Sequence, residues 1–309
     1  MYLEDAPFGY RCHDFRSRTA FGRHVPGRSD LEVAEGDRPV TEPPTATSGS
    51  NGSSELRIAL LNAARNRASN RRNFERELEA DLVEYYCPDG ERPETFAFDG
   101  CVITGSWSSV YWDRPWIDAL KEWVGEAIDA GLPFLGVCYG HQLLADVLGG
   151  RVEAMDDSEI GYRPVEHDGR SRLLTGVDEE FTVFTTHADR VAKAPPGATV
   201  FAENDYGIHG FRKDRAFGVQ FHPEYDMSTA ERVTRGKDDL ADERRRSILE
   251  GITAENYAAA CEAKQLFDNY LEYVREVRTA ASDARVETDA AAERGTGTGS
   301  AAGSSQRRR

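Results

Sequence analysis

The chain alternates continuous apolar runs with segments of helical spacing. LRIALLN (56–62) is apolar almost throughout, the pattern of a parallel strand covered on both faces. In NRRNFERELEADLVEYY, which follows, Phe74, Leu78 and Leu82 fall at helical spacing. FDGCVITGS (98–106) reads as a second buried strand. WIDALKEWVGEAIDAG reads as an amphipathic helix closed by Gly131. PFLGVC (133–138) is a third strand and HQLLADVLGG a third helix. This order predicts an α/β fold, a doubly wound and mostly parallel sheet with right-handed crossovers and flanking helices. FTVFTTH (181–187), ATVFAEN (198–204), IHGFRK (208–213) and AFGVQFHPE (216–224) are more β-like. TAENYAAACEAKQLFDNYLEYVREV (253–277) then returns to helix, with Thr253 as its N-cap.

The two ends lack this patterning. RPVTEPPTATSGSNGSSE holds almost nothing apolar to offset its ordering entropy. YRCHDFRSRTAFGRH has aromatics without periodicity and reads either as a short recognition segment or as an extension with no folded role. Residues 1–54 are therefore expected to be a disordered extension. Residues 55–278 are expected to form one domain that includes the C-terminal helices, and residues 279–309 a disordered low-complexity tail.

Composition narrows the function classes. The hydrophobic fraction of 39% suggests one core with polar attachments. A net charge of −16 argues against nucleic acid as a partner, because phosphates are repelled. Among 38 Lys and Arg residues only Lys121, Lys193, Lys213, Lys237 and Lys264 are lysines. With the net acidity, that balance is read as the mark of a halophilic protein, a GC-rich genome being the bland alternative. Five scattered cysteines without a CxxC pair argue against zinc ligation and a disulfide framework. No apolar run is long enough to span a membrane, so a cytoplasmic location is expected. Nor is there a glycine-rich phosphate loop.

The chemistry centres on GVCYG (136–140). Cys138 falls where a strand gives way to a helix, at the carboxyl edge of the sheet, where ligands gather in open α/β folds. A nucleophile on so tight a turn needs small residues two before and two after it, as in the G-x-S-x-G elbow. The helix N-terminus favours thiolate over thiol and offers free N–H groups, above all that of Tyr139, to an oxyanion. The bland alternative is an ordinary buried cysteine.

A thiolate nucleophile needs a base, and the base needs an orienting acceptor. His222 stands just past an apolar strand in GVQFHPE (218–224). Pro223 restricts His222 to extended backbone, and in such a segment Glu224 shares its face. Without Cys138 these two read as a strand-end histidine beside a solvated carboxylate; with it they complete a Cys–His–Glu set.

GVCYGHQLLADVLGG together with GVQFHPE closely resembles the class I glutamine amidotransferases, in particular the glutaminase domain of GMP synthetase and its stand-alone relatives. The resemblance covers roughly residues 56 to 226. It implies that Cys138 attacks the glutamine side-chain amide and forms a γ-glutamyl thioester, that His222 shuttles protons, and that Glu224 orients His222. It also implies an oxyanion loop at VITGS (102–106). Here Gly105-Ser106-Trp107 departs from the family's pair of glycines and a proline, and Gly105 or Ser106 supplies the N–H. Gln142 matches an elbow glutamine that helps hold the substrate. THAD (186–189) matches a loop whose His187 and Ala188 lie near the polar end of the bound glutamine. EIGY (159–162) resembles a recurring sheet-edge element, although a plain strand turn is the preferred reading.

Three functions follow. The first is a glutaminase that passes ammonia to a separate ATP-dependent synthase subunit, for which this chain has no room. The second is a stand-alone hydrolase of another γ-glutamyl compound, and the third a catalytically silent binding protein. None calls for a cofactor or a metal. Among weaker signals, the tryptophans of SWSSVYWDRPW (106–116) line an entrance or cover a helix. DDLADERRRS (238–247) reads as a solvated helix face, and Cys101 as core packing.

Overall fold

The computed structural model describes residues 55–296, with side chains through residue 284. The expectations for residues 1–54 lie outside the described residues. Nine strands form one sheet in the order β2-β1-β3-β4-β9-β8-β7-β5-β6. β1 (Arg57–Asn62), β2 (Asp81–Tyr86), β3 (Gly100–Ile103), β4 (Phe134–Val137) and β9 (Ala216–Val219) are mutually parallel. The other half is antiparallel: β8 (Gly207–Lys213), β7 (Thr199–Asn204), β5 (Arg151–His167) and β6 (Glu180–Lys193). The sheet is thus mixed, and the expected parallel character describes the half that carries the cysteine.

Strand alternation explains the two layers of helices. Ile58 and Leu60 face one cluster with Phe74 of α1 (Arg67–Glu77) and Leu266, Tyr270 and Val274 of α7 (Gln265–Thr296). Ala59 and Leu61 face the opposite cluster with Leu120 and Val124 of α2 (Pro115–Asp129) and Leu143 and Leu144 of α3 (Tyr139–Val147). A strand buried on both sides must be apolar at every position, which is why β1 reads as an unbroken run. A third cluster packs α4 (Met227–Arg235) and the surroundings of α5 (Asp242–Glu250) on Ile160 and Phe184 of the antiparallel half.

Several elements differ from the expectation. The helix predicted through Leu82 stops at Leu78, and Leu82 lies in β2, paired in register with Ile58. Sheet pairing outweighs the helical spacing here. Of β5 the sequence marks only the EIGY stretch (159–162), and not as a strand of this length. The predicted helix over 253–277 is broken into α6 (Ala254–Ala260) and α7, with Thr253 accepting from Asn256 N at 3.2 Å as its cap. α7 continues past residue 278 into the stretch expected to be a tail. Cys261 is disulfide-bonded, which the scattered cysteines did not suggest. Cys101 is buried in β3, where burial pushes its thiol far above the ordinary value. The expected solvated face is α5, which buries no residue; Arg244 pairs with Asp157 there. Among the described residues no helix is long and apolar enough to cross a membrane.

Candidate active site

Cys138 ends β4 and caps α3 with φ 53° and ψ −101°, a left-handed backbone that is strained for a side chain larger than glycine's. Its N–H donates to Val219 O on β9 at 2.8 Å, and Gln142 N donates to its carbonyl at 3.1 Å. Both flanking glycines are required by contact. A Cβ on Gly136 would stand 2.4 Å from Gly140 O, and one on Gly140 would stand 2.3 Å from Ile103 O. The bend therefore presses α3 onto β3 and β4 and turns the sulfur into a cleft of about 770 Å³.

His222 follows β9 and is held by its N–H, which donates to Phe184 O at 2.9 Å. Its Nδ1 lies 2.8 Å from Glu224 Oε1, and the Tyr225 ring stacks on the imidazole with centroids 4.2 Å apart. Gly105 fills the space beside both groups: a Cβ there would be 2.8 Å from His222 Cε1 and 3.6 Å from Cys138 Cβ. Burial works against a charged His222. The charges of Cys138 and Glu224, with hydrogen bonds to both, outweigh it and push the imidazole up to about 10. Sulfur, imidazole and carboxylate thus meet in one place, all nearly inaccessible.

The remaining sequence candidates fall around this point. Gly105, Ser106, Gln142, His187 and Ala188 line the same cleft. Tyr139 opens α3, so its N–H has no acceptor within the helix. Gln142 spends its amide N–H groups on Asp189 O at 2.9 Å and Gln220 Oε1 at 3.1 Å. It therefore braces residues 186–189, which lie within β6 and not in the loop expected for THAD. His187 is also engaged at both nitrogens, Nδ1 with Asp189 O at 2.9 Å and Nε2 with Glu159 Oε2 at 2.7 Å.

Glu159 corrects the reading of EIGY as a strand turn. It lies within β5, opposite His187 of β6 and just after a register shift. The carboxylate is fully buried and meets His187, His209 Nε2 at 3.1 Å and Asn204 Nδ2 at 2.7 Å. Burial alone would raise its pKa; the hydrogen bonds and charge of the two histidines pull it down to about 2. Glu159, His187 and His209 have converging ligand atoms of the kind that can hold a metal. Their separations are those of hydrogen bonds, and within this network only His209 Nδ1 is buried without a partner among the described residues.

Four further residues escaped the sequence reading. Arg76 of α1 donates to Glu224 O at 2.5 Å and to Asp226 Oδ2 at 2.9 Å, pinning the segment after His222. Tyr225 supplies the stacked ring. Ser109 Oγ and Tyr111 OH donate to the two carboxylate oxygens of Asp189 at 2.5 and 2.7 Å. Ser109 and Tyr111 lie within SWSSVYWDRPW and Tyr225 follows GVQFHPE, so of the four only Arg76 lies apart from the motifs weighed for function. The tryptophans resolve in favour of the entrance for Trp107 and Trp112, which are exposed and line the cleft, while Trp116 packs near Tyr139.

Comparison with known proteins gives the family. The family model for class-I glutamine amidotransferases matches residues 63–235. The chain belongs to the class-I glutamine amidotransferase family and is an enzyme of that kind. Its curated relatives include a glutamine-hydrolyzing GMP synthase of Nostoc sp., 36% identical over 158 residues, which are 50% of this chain and 28% of the relative. Another, from Thermomicrobium roseum, is 38% identical over 126 residues, 40% of this chain and 23% of the relative. The matched region thus spans about a quarter of these relatives. Among solved structures, a glutamine amidotransferase from Thermotoga maritima superposes with a TM-score of 0.59 at 23% identity, covering 71% of this chain and 99% of that one. One from Methylobacillus flagellatus gives 0.58 at 18%, covering 71% and 95%. At these identities the structures speak to the fold.

Proposed function

We propose that the chain hydrolyses the side-chain amide of glutamine through a γ-glutamyl thioester on Cys138. The observation that carries this reading is the convergence of a strained, cleft-facing Cys138 with a His222 whose other side is held by Glu224. The adjacent imidazolium stabilises the thiolate, which attacks the amide carbon. The Tyr139 N–H at the start of α3, with an N–H from Gly105 or Ser106, faces the developing oxyanion. As the C–N bond breaks, His222 gives its proton to the nitrogen and ammonia departs. His222 then takes a proton from water, which attacks the thioester and releases glutamate and the thiolate. Glu224 keeps the imidazole oriented throughout and does not itself react.

The GMP synthase relatives favour ammonia delivery to a separate synthase subunit that adds it to an acceptor. Glutaminase assays of the purified chain, with and without proteins captured from its native cell, test this. Stimulation by a captured synthase supports delivery. Full activity in isolation supports a stand-alone hydrolase, and no glutamine turnover in either condition contradicts the reading.

A further inference from the structure

The cleft reaches well beyond the groups used above. Its volume of about 770 Å³ lies within the range of about 300–1,000 Å³ that encloses drug-sized ligands, and glutamine is far smaller than these. Its outer part is lined by Arg65, Trp107, Arg232 and Lys237, from three separate stretches of chain. The Arg65 guanidinium and Lys237 Nζ lie 5.9 and 5.1 Å from the centroid of the Trp107 ring, which is 47% exposed. Arg232 donates at 2.5 Å to the Oγ of Ser69, which lines the same cleft.

Among the described residues, none of these three cations lies within ion-pair distance of a carboxylate, whereas neighbouring Arg67 is held by Glu84 and Glu91. In a chain with 54 acidic and 38 basic residues this is a local reversal of sign. The acids sharing the cleft are Asp189, whose oxygens are occupied by Ser109 and Tyr111, and Asp239. The cations outnumber them.

We propose that this rim binds a carboxylate on the departing amine of a γ-glutamyl amide, so that γ-glutamyl amino acids are substrates alongside glutamine. This rests on the reading of Cys138 as the acyl acceptor. The γ-glutamyl half is the same in every such amide, so extra volume serves only a larger leaving group. The bonds balance as for glutamine: the Cys138 S–C bond forms, the C–N bond breaks, and the His222 proton goes to the departing amino acid. Water then releases glutamate.

The test is calorimetric titration of the full-length Cys138→Ala protein, which binds without turnover. The ligands are γ-glutamylglycine, its neutral analogue γ-glutamylglycinamide, and glutamine. The acid is expected to bind about fivefold or more tightly than the glycinamide, with the difference shrinking as salt is raised. Lys237→Gln and Arg65→Gln on that background should narrow the difference, and Lys237→Arg should keep it. Equal affinities, or a difference that survives both glutamine substitutions, overturn the proposal. Equal weakening of all three ligands by Lys237→Gln assigns the rim to the glutamyl α-carboxylate and also overturns it. Glutamine turnover by the unsubstituted chain tests the Cys138 reading separately. Turnover with equal affinities sinks the rim alone; no turnover with the fivefold difference keeps a carboxylate-binding rim but sinks the thioester and, with it, the claim that these amides are substrates.

Discussion

Glu224 gives one oxygen to His222 Nδ1 at 2.8 Å and keeps the other buried with no partner among the described residues. Its charge is thus directed at the imidazole. The ordinary value of 6.5 for His222 is raised to about 10, so the protonated ring persists between those limits. A raised value means that stability from this group is full below 6.5 and is lost as pH rises through about 10. A proton donor in that state predicts glutaminase activity that falls on the same alkaline limb. Glu224→Gln removes one of the charges that raise the value. We expect kcat to drop by about 10²–10⁴-fold and the alkaline limb to move to lower pH in a pH–rate profile. A limb that stays in place contradicts the assignment.

Cys138→Ala should lower glutamine hydrolysis by about 10⁴-fold or more, the scale of losing a nucleophile. Circular dichroism and thermal unfolding should show the fold retained, because the substitution removes only the sulfur. This loss should exceed that of Glu224→Gln, since Glu224 orients and does not react. Equal losses contradict that division of labour.

The elbow makes a steric prediction. Gly140→Ala drives a methyl group to 2.3 Å from the backbone oxygen of Ile103, which cannot move without disturbing β3. Urea titration should show a loss of about 1–3 kcal/mol or more. Gly125 of α2 offers the control: its added Cβ meets only Val147 Cγ1, at 3.7 Å. Gly125→Ala should raise stability by about 0.5–1 kcal/mol. Similar effects at the two positions contradict the packing described.

Glu159 links stability to acid. Its value is lowered from 4.5 to about 2, so its contribution is present above the ordinary value and is lost as pH falls through about 2. Glu159→Gln replaces the buried charge facing His187, His209 and Asn204 with a neutral amide, one end of which carries N–H groups where the carboxylate offered an acceptor. We expect a cost of about 1–3 kcal/mol near neutral pH, and a flatter stability curve between pH 4.5 and 2. Chemical unfolding across that range reads both, and an unchanged slope contradicts the network.

The parallel half of the sheet was legible because its inner strands are buried on both faces and write continuous apolar words. β2 and β5 were not. Their side chains are largely half-exposed or exposed, and RVEAMDDSEIGYRPVEH carries acids along much of its length. Such strands are specified by partners distant in sequence. The candidate site divides in the same way. Cys138 and His222 announce themselves through local demands, small neighbours at a bend and a proline after the ring. Arg76 acts on Glu224 from 148 positions away, and Asp189 is reached by Ser109 from 80 away; neither leaves a local mark. Glu159 stood in a motif that was noticed, but only its pairing with His187 shows what the carboxylate does.

The most direct measurement is mass spectrometry of the chain quenched in acid during glutamine turnover, followed by peptide mapping. The account predicts a peptide carrying Cys138 that is heavier by one γ-glutamyl group, and its absence from the Cys138→Ala protein. Turnover with no adduct on Cys138, while a glutamine-analogue electrophile labels Cys87 or Cys101 instead, would contradict it.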